Sequence, residues 1–365
     1  MSTTQTIVTS EPAREDVRRN GQPLIDVRAL SVQYGIGADG VQAVREVDLQ
    51  INRGEIIGIA GESGSGKSTL AFAIARLLRA PAEVTGGSVM YTRADGVSED
   101  LVALSPRELQ PYRWERIAMV FQSALNALNP VLTIGAQLED VLKAHRKGMG
   151  RKARAERVAE LLGLVGIAAV RAKAYPHELS GGMRQRAMIA MALALDPEVI
   201  IMDEPTTALD VVTQRAILKE IMALQKQKSF SIVFITHDLS LLLEIADRVA
   251  VLYAGRIVEL GTTEELLGST SHPYTDGLLT SFPVLTGRKQ ELQGIPGTPP
   301  DLRRLGTGCA FVERCAWAVD HCRSHDPRLE LVSDTDGTAN EHRAACFRAE
   351  DVLTQSAERR LAGRR

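Results

Sequence analysis

Gly61-Glu62-Ser63-Gly64-Ser65-Gly66-Lys67-Ser68 has the residue types and spacing to hold phosphate. Gly61, Gly64 and Gly66, with Ser63 and Ser65, form a cradle whose backbone N–H groups can turn inward on anionic oxygens. A helix starting at Lys67 adds its positive dipole end. Lys67 is placed for the β- and γ-phosphates, the Ser68 hydroxyl for Mg²⁺ and Thr69 for the α-phosphate. Asp203-Glu204 closes a second apolar run. There Asp203 is expected to hold Mg²⁺ through water, and Glu204 to polarise an attacking water. A carboxylate pair that merely caps a turn ahead of Pro205 would leave the apolar run before it unexplained. Between these two sites lies Leu179-Ser180-Gly181-Gly182-Met183-Arg184-Gln185, where Ser180, Gly181 and Gly182 open a helix and favour an anion.

Such groups need rigid strand ends behind them. Glu55-Ile56-Ile57-Gly58-Ile59-Ala60 reads as an apolar strand feeding the first loop, and residues 67–78 have helical period. Ile117-Ala118-Met119-Val120-Phe121, Val199-Ile200-Ile201-Met202 and Ser231-Ile232-Val233-Phe234-Ile235 suit a buried parallel sheet, with a helix over 211–225. Strands alternating with helices predict an α/β core. Ile25-Asp26-Val27-Arg28-Ala29 and Val47-Asp48-Leu49-Gln50-Ile51 alternate like half-buried strands, and residues 134–174 read as a helical insertion. Residues 1–22 read as a flexible leader, and Gly294-Ile295-Pro296-Gly297-Thr298-Pro299-Pro300 as a linker.

The 365 residues suffice for one large core and a smaller appendage, and a formal net charge of −2 gives no general nucleic-acid footprint. The longest apolar run, 187–195, is far short of the ~20 residues of a spanning helix. The first twenty residues lack the apolar core of a signal peptide, so the chain is expected in the cytosol, with membrane attachment through partners. The basic end, 358–365, reads as a solvated tail.

The order of these motifs resembles the ATP-binding cassette (ABC) superfamily, whose signature begins Leu-Ser-Gly-Gly, over about residues 25–260. The resemblance implies a phosphate-loop NTPase: a RecA-like core with antiparallel β and helical subdomains, hydrolysing ATP with Mg²⁺ as a dimer. It implies Gln122 as the residue sensing Mg²⁺ and water, and His237 as the contact to the γ-phosphate. Tyr34 matches the aromatic that stacks on adenine, although a lone tyrosine is more often packing. Asp210, in Ala208-Leu209-Asp210, matches the loop that crosses between two nucleotide domains. Ser180, Gly181, Gly182 and Gln185 would complete the ATP site of the opposite subunit. A phosphate-loop kinase or GTPase would lack this signature. A soluble ABC ATPase acting on nucleic acid would tend to carry two cassettes or a coiled-coil arm.

Three further segments narrow the resemblance. Gln122-Ser123-Ala124-Leu125-Asn126-Ala127-Leu128-Asn129-Pro130, His272-Pro273-Tyr274-Thr275, and Ile295-Pro296-Gly297-Thr298-Pro299-Pro300 leading to Gly308-Cys309 look like the ATPase subunits of oligopeptide and dipeptide importers. That family also contains nickel, glutathione and oligosaccharide importers. It implies a second, homologous ATPase, two transmembrane permeases and, through them, an extracytoplasmic solute-binding protein, but no nucleic acid. The protein would lie peripherally on the cytoplasmic face of the inner membrane, with residues 123–142 receiving a coupling helix from a permease. The expected organisation is a cassette over 23–262 with a helical subdomain at about 123–178. An extension follows over 263–300, then a small cysteine module over 301–350 and a basic tail over 351–365.

All four cysteines, Cys309, Cys315, Cys322 and Cys346, fall in the last sixth of the chain. In a reducing cytosol that favours metal over disulfide. The paired short spacings of structural zinc sites are missing. In the importer family the matching cysteines are associated with a 4Fe–4S cluster in some members, so the order of expectation is 4Fe–4S, then zinc, then packed free thiols. His321 and His342 neighbour cysteines and are read as surface residues rather than ligands.

Overall fold

The computed structural model describes residues 22–35, 37, 40–122, 127–207, 209–281, 294–332 and 341–363. The leader at 1–21, Ala208, and Ser123 to Asn126 of the segment after Gln122 lie outside them.

The chain opens with β1 (Ile25–Tyr34) and β2 (Val41–Ile51), paired antiparallel. In β2, Val47, Leu49 and Ile51 point inward while Asp48 and Gln50 face out, the period of a sheet with one wet face. Then β3 (Ile56–Ala60), buried at every position, runs into α1 (Lys67–Ile74). This helix is shorter than its sequence period suggests, because Arg76 turns the chain with φ 55°. β4 (Ala82–Thr92) and β5 (Ser98–Asp100) complete a four-stranded antiparallel sheet in the order β2-β1-β4-β5.

The second sheet takes up β6 (Ile117–Val120) and then receives helices. These are α2 (Ile134–His145), α3 (Arg151–Leu164) and α4 (Gly181–Ala192). Thr133 and Ser180 cap α2 and α4 by accepting backbone N–H groups. β7 (Val199–Asp203), α5 (Val211–Lys228), β8 (Ser231–Ile235), α6 (Leu239–Ile245), β9 (Arg248–Tyr253) and β10 (Arg256–Thr262) follow. β6, β7, β8, β3 and β9 are parallel neighbours, and β10 turns back antiparallel on β9. Alternate residues feed opposite cores. Ile200, Met202, Ile232 and Phe234 pack with α2 to α6 on one face. Val199, Ile201, Val233 and Ile235 pack toward α1 and the antiparallel sheet on the other.

The C-terminal part is continuous with this sheet. After α7 (Thr263–Gly268), α8 (Pro273–Thr280) and α9 (Asp320–Ser324) come β11 (Glu330–Leu331) and β12 (Arg343–Ala344). β12 pairs antiparallel onto β10 and β11 onto β12, extending the sheet to eight strands. Part of the segment expected as a small cysteine module thus adds an edge to this sheet: β10 leaves unpaired backbone groups that β12 satisfies. The expected solvated tail begins on α10 (Ala349–Gly363), with Glu358 and Arg359 exposed. There Val352 is buried, and the Ser356 hydroxyl accepts from Thr270 N–H at 3.0 Å and lies 3.0 Å from Thr270 O. No described helix is long and apolar enough to cross a membrane.

Candidate functional site

Four neighbouring parallel strands end on one side of the sheet, each delivering one chemical group: β3 the loop 61–68, β7 Asp203-Glu204, β6 Gln122, and β8 His237. A crevice outside strand carboxyl ends is where open α/β sheets bind ligands. Here it is a cleft of about 540 Å³ lined by Glu62, Ser63, Gln122, Glu204 and His237.

Gly66 shows why the loop needs glycine. Its φ is +104°, and a Cβ there would lie 2.2 Å from Ala43 O. Lys67 follows, buried, its Nζ donating to Gly61 O at 2.7 Å and Glu62 O at 2.8 Å. Burial pulls its pKa below the ordinary lysine value, opposed by Glu204, Asp203 and Glu62. The Ser68 hydroxyl donates to Asp203 Oδ1 at 3.1 Å. Burial raises the Asp203 pKa, with Ser68 and Lys67 opposing it and Glu204 adding to it. A buried carboxylate beside a hydroxyl, short of compensating charge, suits a hard cation taking oxygen ligands. Thr69 is buried, its hydroxyl 3.3 Å from Oη of the exposed Tyr34.

Glu204 stands at the centre. Its backbone is in the left-handed region at φ 43°, unusual for a residue with a side chain. Such outliers concentrate at functional sites. Its carboxylate accepts from Gln122 Nε2 at 2.9 Å and Thr207 Oγ1 at 3.0 Å, and lies 3.4 Å from His237 Nδ1. The three carboxylate neighbours come from two other loops and its own, so the group is fixed in the cleft.

Ser180, Gly181 and Gly182 lie apart from this cleft, at the start of α4, with Ser180 and Gly181 exposed. Gly182 has a packing reason as well as an electrostatic one: a Cβ there would meet Thr213 Cγ2 of α5 at 2.8 Å. Gln185 is buried, unlike the half-buried Met183 and Arg184 before it, and its amide nitrogen has no hydrogen-bond partner among the described residues. Asp210 is exposed and caps α5, accepting from Thr213 N at 3.0 Å and Thr213 Oγ1 at 2.7 Å. Those bonds hold its pKa below the ordinary aspartate value.

The opposite wall of the cleft was not anticipated. Leu278 and Ser281, at the end of α8, and Ile295 line it. His272 caps α8, its Nδ1 accepting from Tyr274 N at 3.1 Å. Tyr274 is buried, and its Oη accepts the backbone N–H of Glu62 at 2.8 Å. Arg314 reaches the same residue: Nη1 donates to Glu62 Oε2 at 2.6 Å and Nη2 to Oε1 at 2.9 Å. The sequence signal for these contacts was the His-Pro-Tyr-Thr segment itself, which sat beyond the core without a physical task.

The cysteines are all half-buried. Burial, and then neighbouring charged groups including other cysteines, push Cys309 up to about 11, Cys346 up to about 12, and Cys315 above its ordinary value. Among the described residues, no three His, Cys, Asp or Glu side chains come together to hold a metal ion. His342 corrects the surface assignment. It is 2% exposed, its Nε2 lying 2.7 Å from Glu259 Oε1 beneath β12. His321 is exposed and stacks 4.1 Å from His325.

This site is that of a phosphate-loop nucleotide hydrolase, and comparison with known proteins makes it specific. The model of the ABC transporter family matches residues 44–207, and that of the oligopeptide/dipeptide transporter C-terminal region matches 258–322. A putative peptide import ATP-binding protein of Brucella ovis is 43% identical, covering 91% of this chain and 98% of its own. The oligopeptide transport ATP-binding protein OppD of Bacillus subtilis is 45% identical over 86% of this chain and 87% of its own. The solved post-hydrolysis dimer of the ATP-binding cassette MJ0796, bound to ADP and Pi, superposes with a TM-score of 0.57 at 30% identity, covering 66% of this chain and 98% of that one. The chain belongs to the ABC transporter family, as an ATP-hydrolysing subunit of its oligopeptide/dipeptide importer branch.

Proposed function

We propose that this subunit powers import of peptides and that its cleft works as follows. The loop 61–66 cradles the phosphates of ATP. Lys67 moves from the carbonyls of Gly61 and Glu62 to the β- and γ-phosphates, Thr69 touches the α-phosphate, and Tyr34 stacks on adenine. Ser68, Asp203 and Gln122 would hold Mg²⁺, which would supply charge neutralisation for the phosphates. Glu204 takes a proton from the attacking water. His237 donates to the γ-phosphate oxygen where charge develops. The observation carrying this reading is the Glu204 carboxylate held by Gln122, Thr207 and His237 in one cleft with the phosphate loop.

Ser180, Gly181 and Gly182 close the ATP site of a second, homologous ATPase across a dimer interface that Asp210 also lines. Gln185, buried behind the exposed Ser180 and Gly181, belongs to the same segment. Two permeases dock on the exposed surface that includes Val131 and Leu132, and carry the connection to an extracytoplasmic solute-binding protein. This places the chain on the cytoplasmic face of the membrane. Purifying the assembled complex and measuring which solutes stimulate its ATPase tests the reading. Peptides are expected to stimulate; stimulation by nickel, glutathione or an oligosaccharide alone overturns the peptide assignment.

We also propose that Cys309, Cys315, Cys322 and Cys346 hold a 4Fe–4S cluster. What supports this reading is that the four thiols are half-buried, that Cys309 N–H donates to Cys322 O at 2.8 Å, and that the paired short spacings of structural zinc sites are missing. Brown, anaerobically purified protein with about four irons per chain is the expected result. Colourless zinc-loaded protein overturns it.

A further inference from the structure

Glu62 is the least explained residue of the phosphate loop and among the most tightly held. Its carbonyl accepts from Lys67 Nζ. Its N–H donates to Tyr274 Oη, and both carboxylate oxygens are forked by Arg314. Two of these three holds come from beyond residue 270. Arg314 is itself pinned. Its Nε donates to Pro296 O at 2.8 Å, its Nη1 lies 3.4 Å from Tyr253 Oη, and its guanidinium sits 5.8 Å from the ring centres of Tyr253 and Phe311. Its side chain is 5% exposed. A planar fork held on every nitrogen transmits position, where a lone exposed ion pair would not.

Arg314 lies one residue before Cys315 and five after Cys309. Cys309 N–H donates to Cys322 O at 2.8 Å, so the cysteine segment is knitted to the residues that carry Arg314. Loop movement at Glu62 would shift the carbonyl that competes with phosphate for Lys67. We propose that Arg314 is a positioning residue for the nucleoside triphosphate, which couples the four-cysteine segment to ATP through Glu62. The proposal rests on the reading of 61–69 as the nucleotide cradle. It does not depend on which group the cysteines hold.

The test uses the full chain and a non-hydrolysable ATP analogue with Mg²⁺, measuring Kd alongside the Tm of nucleotide-free protein. Arg314→Met and Glu62→Gln are each expected to raise Kd about tenfold, within the usual range of coupling between sites. The double variant should be no worse than either single one, and Arg314→Lys should recover part of the loss. By reciprocity, nucleotide should slow amide hydrogen exchange over 309–316 in the wild type but not in Arg314→Met. Kd values within twofold of wild type, with losses confined to the nucleotide-free Tm, overturn the proposal and leave a structural ion pair. If Arg314→Met does not fold, Glu62→Gln and Arg314→Lys decide by the same criterion. Lys67→Ala separates the two readings: if it still binds the analogue as wild type does, the cradle assignment fails, not the coupling.

Discussion

The two walls of the cleft are built on different principles. One wall is made by the ends of β3, β6, β7 and β8, so each group is delivered by a buried strand hydrogen-bonded to a parallel neighbour. The other is made by the end of α8 and Ile295, and is tied to the loop by the side chains of Tyr274 and Arg314, 212 and 252 residues away from Glu62. The first wall carries groups that must meet reacting atoms. The second holds only the loop. A change on the first wall should therefore remove chemistry and leave the fold, whereas a change on the second should alter stability and nucleotide affinity together.

The largest expected effect is on the first wall. Glu204→Gln keeps the shape and one acceptor but no longer accepts a proton from water. ATP hydrolysis should fall by about 10²- to 10⁴-fold, the usual contribution of a general base, with nucleotide binding intact. The variant should accumulate as an ATP-bound dimer, visible by gel filtration with light scattering. Hydrolysis at near wild-type rate would remove Glu204 from its assigned role and undo the contrast between the walls.

The second wall predicts a pH dependence. Complete burial lowers the His272 pKa from 6.5 to about 4, against the opposing pull of Glu259. Between those values the unfolded chain binds a proton that the folded chain does not. Stability is thus fully present above pH 6.5 and is lost as pH falls toward 4. At its full extent the loss amounts to about 3 kcal/mol. His272→Asn keeps a capping side chain without a titrating ring. Chemical denaturation at pH 7 and pH 5 should show a smaller difference in this variant than in the wild type. Equal differences would mean His272 is not buried neutral at the N-terminus of α8.

The walls also differ in how far the sequence revealed them. On the first, residues such as Lys67, Asp203 and Glu204 are dictated by phosphate, metal and water, and sit at fixed offsets from apolar runs. Their placement could be read locally. The strands themselves were legible for the same reason, since Ile200 and Met202 face one core while Val199 and Ile201 face the other. Arg314 has no such local rule: its meaning lies in a carboxylate 252 positions earlier. The same holds for β12, two residues whose only signal is the open edge of β10. His342 looked like a surface residue because its partner, Glu259, is on another strand. Helix α10 was masked by its charge, since the basic residues near its end obscured Val352 and Ser356 on the docking face.

A smaller effect sharpens the second wall's link to the loop. Tyr274→Phe keeps the buried ring against Tyr253 and Phe311, whose centres lie 4.6 and 5.5 Å away. It removes only the acceptor for Glu62 N–H. Leaving that donor unpaired costs about 1–3 kcal/mol. The Tm should fall, and nucleotide should restore part of it by drawing the loop onto phosphate. A Tm deficit independent of nucleotide would mean that the contact supports α8 alone.

The smallest effect lies farthest from the cleft. Ser356→Ala deletes the hydroxyl that accepts from Thr270 N–H beneath α10, while Val352 stays packed. One buried donor is then unpaired, at a cost of about 1–3 kcal/mol, toward the lower end because the freed space admits water. Thr270 precedes His272 by two residues, yet α8 is also held by the bonds from Ser271 N and His272 N to Glu259. Those bonds should confine the change to the α10 contact. The expected outcome is a lower Tm with unchanged Kd for nucleotide and unchanged hydrolysis. If nucleotide affinity falls as well, α10 belongs to the mechanical path that ends at Glu62, and the second wall extends to the end of the described chain.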